Sequence, residues 1–442
     1  MLAETKAYIN KNIVDCNIAI DEDKIQKIGK EASMPKAETK ISLKKLLVLP
    51  GLIDAHVHLR DEGKAYKEDF FTGTAAAAAG GVTTVLDMPN NNPVTMSAET
   101  LRKRMEIARS KILVNVGFYS EFPEGLEEIK NIVKAGALSF KLYMSEKIGG
   151  LNIDDDKTLP EAFRIVKDLN APVAVHAEDK NTIEQAKTKL KEANLNSIEA
   201  FLEAHSERAE EKAVKRLLTI AQKSGARIHF CHISTKNGIK EIVENKKLGL
   251  PVTCETTPHH LLLAVNDLKK IGTIALTMPP IREKKNITAL WSGIKNKWID
   301  IIGSDHAPHT LEEKTNENVW NVKTGIPGLE TTLPLLLTEI AKKRQLTLTD
   351  LVRLCCEKPA EIFNLKERGG IKEGNYADLI AVDLHRKHKI NASMFHSKAK
   401  FSPFDGWNVV GKPVKTFVNG QLIMDKGEIV ANAGCGKIIK RG

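Results

Sequence analysis

The sequence predicts an α/β protein: a TIM-like (β/α)8 barrel with a small composite β-sandwich built from both termini. Three observations lead there. Short β-rich runs alternate with helix-like segments eight times between residues 51 and 365, a span within the range of that fold. Polar residues gather at the ends of those runs, where a barrel builds its active site; a doubly wound open sheet explains eight such strands less readily. Both flanks, residues 1–50 and 366–442, switch to hairpin-like patterns.

The N-terminal flank holds pieces such as NIAIDEDKIQKIG (17–29), with an acidic turn between two alternating runs. The barrel strands then read LIDAHVH (52–58), VTTVLDM (82–88), ILVNVGF (112–118) and ALSFKLY (137–143). They continue as PVAVHA (172–177), RIHFCHI (227–233), PVTCETT (251–257) and IDIIGSD (299–305). Helical segments lie between them, among them FFTGTAAAAAG (70–80), the stretch near 96–110, and 207–223. The C-terminal flank carries ADLIAVDL (377–384) and VKTFVNGQLIMDKGEIV (414–430), with the hairpin dipeptide Asn419-Gly420. The two flanks are expected to pack together outside the barrel.

Composition narrows the function classes. The 442 residues are 42% hydrophobic and 28% charged, as in an ordinary globular chain, and only 5% aromatic, which leaves few stacking platforms for nucleic acid. The formal charge of +10 comes from scattered lysines with no block of five or six. They read as a solvated surface that also attracts anionic substrates. Six cysteines at 16, 231, 254, 355, 356 and 435 form no C-x-x-C, which points to reduced thiols in the cytoplasm. Cys231 and Cys254 sit in apolar runs and read as small core residues. The opening MLAETKAYINKN lacks a secretory apolar core. No apolar run approaches the roughly 20 residues of a membrane span. Neither a nucleic-acid nor a membrane partner is expected.

The chemistry concentrates at the strand ends. In GLIDAHVHLR a β-strand puts His56, His58 and Arg60 on one face. Later strands supply Lys141, His176, His232 and Asp305. Four imidazoles and a carboxylate at one barrel mouth suit a metal such as zinc. His229 faces away from His232 and reads as a packed histidine, and His259 and His260 as loop or outer residues. Lys141 is the odd member, because an unpaired ammonium is costly to bury and would repel a cation.

At this point the motifs resemble a family. The H-x-H of the first strand, the fourth-strand lysine, VHAE, CHIS and GSDHAPH are similar to those of the binuclear-metal cyclic amidohydrolases. More narrowly, HVHLRDEG, YKEDFFTGTAAAAAGGVTTVLDMPNNNPVT and SDHAPHTLEEK resemble the dihydroorotases. The resemblance implies a small-molecule substrate and two zinc ions per subunit. His56, His58 and Asp305 would hold one, His176 and His232 the other, and a carboxylated Lys141 would bridge them with hydroxide. It implies Arg60, Asn90 and His309 as holders of a ring carboxylate, and Gly325 as a backbone contact to the ring. Asp305 would act as general base, opening dihydroorotate to N-carbamoyl-aspartate or, in pyrimidine synthesis, the reverse. Met278 stands where those enzymes commonly have an asparagine, so one ring contact must come from elsewhere. Allantoinase, dihydropyrimidinase and hydantoinase share the metal ligands and stay open as alternatives, as does a metal-free scaffold relative. Relatives are often dimers or larger, so a homo-oligomer is open too.

Overall fold

The structure, a computed structural model, describes residues 1–342 and 345–441. Eight parallel strands form the barrel: β1 (Leu52–Val57), β2 (Val82–Asp87), β3 (Asn115–Glu121), β4 (Ser139–Tyr143), β5 (Val173–His176), β6 (Ile228–Phe230), β7 (Val252–Thr256) and β8 (Ile301–Ile302). Each pairs with the next in sequence. Nearly every strand residue is buried, as a sheet covered on both faces demands, so these strands read as apolar runs rather than alternations.

Helices α1 (Phe70–Ala79), α2 (Ala98–Arg109), α3 (Glu128–Ala135), α4 (Thr158–Asp168), α5 (Glu207–Ser224), α6 (Lys236–Lys247), α7 (Lys284–Lys295) and α8 (Leu329–Ala341) follow the strands in turn. Their starts are written locally. Asp69 and Ser97 cap α1 and α2 in reciprocal capping boxes with Thr72 and Thr100. α3 and α5 end on Gly136 and Gly225 at φ 113° and 69°, the left-handed C-cap that favours glycine. The alanine run of α1 lets that helix lie close on the barrel; at Gly73 a Cβ would come within 2.4 Å of Leu59.

The closing seam between β8 and β1 is made by side chains as much as by backbone. The Asp54 carboxylate accepts the Ser304 N–H at 3.2 Å, and the His58 N–H donates to the His306 carbonyl at 2.8 Å. Regular β8 thus spans two residues rather than the expected 299–305: downstream, Ser304 bonds to the Asp54 carboxylate and His306 to the His58 backbone instead of extending a regular ladder.

The two flanks pair in one sheet. Leu47–Pro50 runs antiparallel to the strand Leu379–Lys389, joining the N-terminal strands Leu2–Ile9, Asn12–Asp21 and Lys24–Gly29 to the C-terminal strands Asn408–Val418, Gln421–Asp425 and Glu428–Ile429. Asn419 and Gly420 both take positive φ, 48° and 79°, as a two-residue hairpin requires. The sheet encloses its own core of Leu2, Ile18, Ile25, Val48, Leu379 and Phe417.

Two features depart from the sequence pattern. The third strand lies at Asn115–Glu121, not 112–118. Residues 112–114 are apolar and buried, but Leu113 N–H bonds to Thr74 Oγ1 and the Ile112 carbonyl accepts from Gly434 and Gly436. The last residues of the chain then leave the terminal sheet. Ile438–Ile439 adds in parallel to the start of β3 at Val116 and Gly117, a stretch that β4 does not cover. Deleting residues 434–442 is expected to lower the thermal midpoint by roughly 3–6 °C, several backbone hydrogen bonds being lost together. Calorimetry of the truncated chain checks this, and an unchanged midpoint would show that the tail does not brace the barrel.

Candidate active site

His56 and His58 project from the end of β1, with Val57 between them facing the core. Their Nε2 atoms each lie 3.4 Å from one oxygen of Asp305, which follows β8. All three side chains are buried. Each imidazole is held by its other nitrogen. His56 Nδ1–H donates to Glu255 at the end of β7, and His58 Nδ1–H donates to Asn90 Oδ1 at 2.7 Å. These bonds fix the tautomer and leave both Nε2 lone pairs turned to Asp305. Burial holds both rings below the usual histidine range, strongly so for His58, where Arg60 adds repulsion. Neutral imidazole is the form that ligates metal.

A second group converges from β5 and β6. His176 Nδ1 lies 3.1 Å from His232 Nε2, while His176 Nε2–H donates to Glu178 at 2.9 Å. Glu178 also accepts from His205 at 3.1 Å, and the two imidazoles hold its carboxyl well below the usual range against the opposing effect of burial. His232 is pushed well down by burial. Lys141 on β4 is wholly buried; its amine donates to Cys231 Sγ at 3.0 Å and to no carboxylate among the described residues. His229 lies beneath the group, bonded to Thr253 and Glu255 and edge-on to Phe363.

Three of these residues sit on left-handed backbone: Arg60 at φ 61°, His232 at 34° and Asp305 at 47°. Non-glycine residues adopt this region at a cost, and such residues cluster at functional sites.

The mouth above the two groups is a cleft of about 180 Å³ lined by His56, His58, Arg60, His176, His232 and Asp305. Asn90, Tyr143, Met278, His309 and Gly325 also line it. Arg60 is buried, and none of the acidic neighbours in sequence pairs with it: Asp61 binds Lys111, Glu62 lies near Lys103, and Glu68 binds Ser397. Among the described residues its guanidinium donates only to the Pro308 carbonyl, at 3.3 Å, and it lies 3.4 Å from His309 Nε2. Burial lowers its pKa, with Tyr143, Asp305, Asp87 and Glu313 near enough to oppose the shift. His309 donates from Nε2 to the Thr324 carbonyl at 3.1 Å and accepts the Lys67 amine on Nδ1 at 3.1 Å; burial with Arg60 and Lys67 nearby keeps it neutral. Asn90 spends its oxygen on His58, and its amide nitrogen has no partner among the described residues. Arg282 is bound to Ser234 and lies outside the cleft lining.

Sequence reasoning missed the groups that orient the histidines. Glu255 meets His56 across 199 residues and His205 meets Glu178 across 27, whereas Glu178 follows His176 by only two; Tyr143 is seen in the cleft only once β4 is placed. The usable signal was the acid itself, since a carboxylate within a buried strand needs a partner.

The residues fit a metal ion. Ligand atoms of His56, His58 and Asp305 lie within 4.8 Å of one another. His56, Cys231 and Glu255 form a second such group. There, however, His56 Nδ1 is already bonded to Glu255, and burial pushes the Cys231 thiol up to about 12, away from the ligating thiolate. The first group is the better centre.

The description of the amidohydrolase family matches residues 47–423. The chain is 38% identical to a dihydroorotase of Methanothermobacter thermautotrophicus over 95% of its length and 93% of that protein's. It is 36% identical to a dihydroorotase of Pyrococcus horikoshii over 99% and 95%. It is also 32% identical to an L-hydantoinase of Paenarthrobacter aurescens over 97% and 95%. Among solved structures, an L-hydantoinase from Arthrobacter aurescens superposes with a TM-score of 0.95 at 31% identity, covering 100% of this chain and 99% of that one.

Glu255→Gln is expected to weaken metal binding roughly 10- to 100-fold, the usual consequence of losing the group that orients a ligating histidine. Metal content measured against a graded chelator tests this; unchanged affinity would remove Glu255 from the supporting shell.

Proposed function

The chain belongs to the amidohydrolase family, and we propose that within it the chain is a zinc-dependent dihydroorotase interconverting dihydroorotate and N-carbamoyl-aspartate. The single observation that carries the substrate is Arg60, a buried guanidinium on the cleft wall that pairs with no carboxylate among the described residues. A ring carboxylate supplies the missing partner in a bidentate, charge-assisted pair. The free amide nitrogen of Asn90 and the neutral ring of His309 flank the same wall. The dihydroorotases among the relatives support the reading. Hydantoin itself lacks a ring carboxylate and leaves Arg60 uncompensated.

In this reading His56, His58 and Asp305 would hold one zinc ion and His176 and His232 a second, and Lys141, as a carbamate, would supply an anionic ligand in place of a buried unpaired cation. Bound zinc acidifies the attacking water and polarises the amide carbonyl. The chain's own residues do the rest. Arg60, Asn90 and His309 orient the ring by its carboxylate, and Gly325 presents backbone to it. Burial raises the proton affinity of Asp305, with His56 opposing. Asp305 takes the proton of the attacking water and delivers it to the ring nitrogen as the C–N bond breaks and the C–O bond forms. Ring closure runs the same transfers backwards. Met278 has no donor for the ring, so the backbone of the Thr324–Gly325 segment is the remaining protein contact there. Six free cysteines accord with a reducing cytoplasm.

Parallel assays with dihydroorotate, dihydrouracil, hydantoin and allantoin are expected to show preference for dihydroorotate; preference for an uncharged ring would overturn the substrate. Arg60→Met should raise KM for dihydroorotate roughly 10- to 100-fold, the value of a charge-assisted contact, and leave any hydantoin turnover near its original rate. For Lys141→Ala the expected outcome is loss of activity with partial recovery in short carboxylic acids. Full activity in the alanine variant without additive would rule out a bridging role.

A further inference from the structure

Lys314 ends the short helix Leu311–Lys314 and is completely buried. Among the described residues it pairs with no carboxylate. Its amine donates instead to two backbone carbonyls, Leu276 at 2.9 Å and Lys323 at 3.0 Å. These carbonyls belong to different loops. One carries Met278 into the cleft, and the other carries Lys323, Thr324 and Gly325. The loops also touch directly, since the Gly325 N–H donates to the same Leu276 carbonyl at 2.9 Å. Lys323 N–H returns to the Glu313 carbonyl at 2.8 Å, and Thr324 accepts from His309.

A methionine of similar volume would fill this space without the cost of burying an amine. The lysine is therefore informative for its N–H groups. Without them the Lys323 carbonyl loses its bond, and the spacing of the two loops rests on the single Gly325–Leu276 contact. Burial pushes the amine down to about 7, so near neutrality an uncharged amine, still with two N–H groups, can serve both carbonyls.

We propose that Lys314 is a positioning residue for the substrate ring: it sets the spacing of the Leu276–Met278 and Lys323–Gly325 segments, and so the shape of the ring subsite. The inference rests on the cleft being the substrate site, as proposed above. It takes on added weight where Met278 offers no hydrogen bond and the Thr324–Gly325 backbone must meet the ring.

The test uses full-length, metal-loaded Lys314→Met and Lys314→Gln, with KM, kcat and metal content measured for whichever cyclic amide the wild type opens. Lys314→Met is expected to raise KM about tenfold, the scale of one lost hydrogen bond, with kcat within about twofold and metal content unchanged. Lys314→Gln, whose amide keeps two N–H donors, should recover part of the loss. A folded, metal-loaded Lys314→Met with wild-type KM would overturn the proposal, as would parallel loss of kcat and metal in both variants. Should the methionine variant not fold, the same split of KM against kcat in Lys314→Gln decides. A wild type that opens none of the rings would refute the proposed function instead, so the two failures are distinct.

Discussion

The site depends on one buried carboxylate. Glu255 is 1% exposed and accepts three hydrogen bonds: from His56 Nδ1 on β1, from His229 Nε2 on β6, and from the His232 backbone N–H just beyond β6. His56 and His229 together hold it ionised well below the usual carboxylate range, although burial alone would raise it. An anion at this depth is tolerable only with such donors. In return it sets the direction of His56 and the end of β6, and so the placement of both histidine groups. Asp54 plays a related part at the seam, bonding the His56 N–H at 3.1 Å and the Ser304 N–H. The barrel is thus closed and its metal-type ligands aimed by the same carboxylates.

Above that floor the excess is cationic. Burial lowers the Lys64 and Lys67 amines, and Arg60 and Lys323 stand close enough to add repulsion, with Glu146 opposing at Lys64 and Glu313 at Lys67. Lys67 is compensated by Glu313 at 2.7 Å, whereas Arg60 is not. A cleft whose walls carry unpaired positive charge raises the local concentration of anions and holds them once docked. Both members of the proposed reaction are anions, the open form carrying two carboxylates. The overall charge of +10, unexplained by any nucleic-acid feature, acquires a local use here without requiring one elsewhere.

Much of this was legible in the sequence because barrels impose two simple periods. Alternation at the end of β1 brings His56 and His58 together, whereas Arg60, expected on the same strand face, reaches the cleft from a left-handed turn beyond the strand; the rule that chemistry sits at strand ends pointed to His232 rather than His229 and to His176 and Asp305. The flanks were readable as strands from alternation and from Asn419-Gly420. What escaped depended on contacts between distant segments. Residues 112–114 have strand composition, yet their backbone groups are taken by Thr74 and by a tail more than 300 residues away. Asn90 looked like a carboxylate contact or a turn residue, and its oxygen turns out to orient His58. Glu255 and Lys314 have ordinary local sequences; only burial exposes their significance.

The close likeness to an L-hydantoinase alongside the dihydroorotases sharpens where specificity must reside. A shared family and barrel fold do not separate the two named activities, so specificity is to be sought in the loops beyond the strands, where such barrels build their sites. In this chain that reading surface is one connected unit. Arg60 on its strained turn abuts His309; His309 bonds the Thr324 carbonyl; the adjoining Lys323 and the Leu276 loop are joined through Lys314. A change at any of these points shifts the others, because a packed hydrogen-bonded unit has few ways to relax. Under the proposed reading Met278 brings no hydrogen bond to the ring, and the Thr324–Gly325 backbone beside it is braced by its bonds to His309 and Leu276. In the proposed reading, selectivity for an acidic ring therefore belongs to the rigidity of the rim as much as to the Arg60 guanidinium.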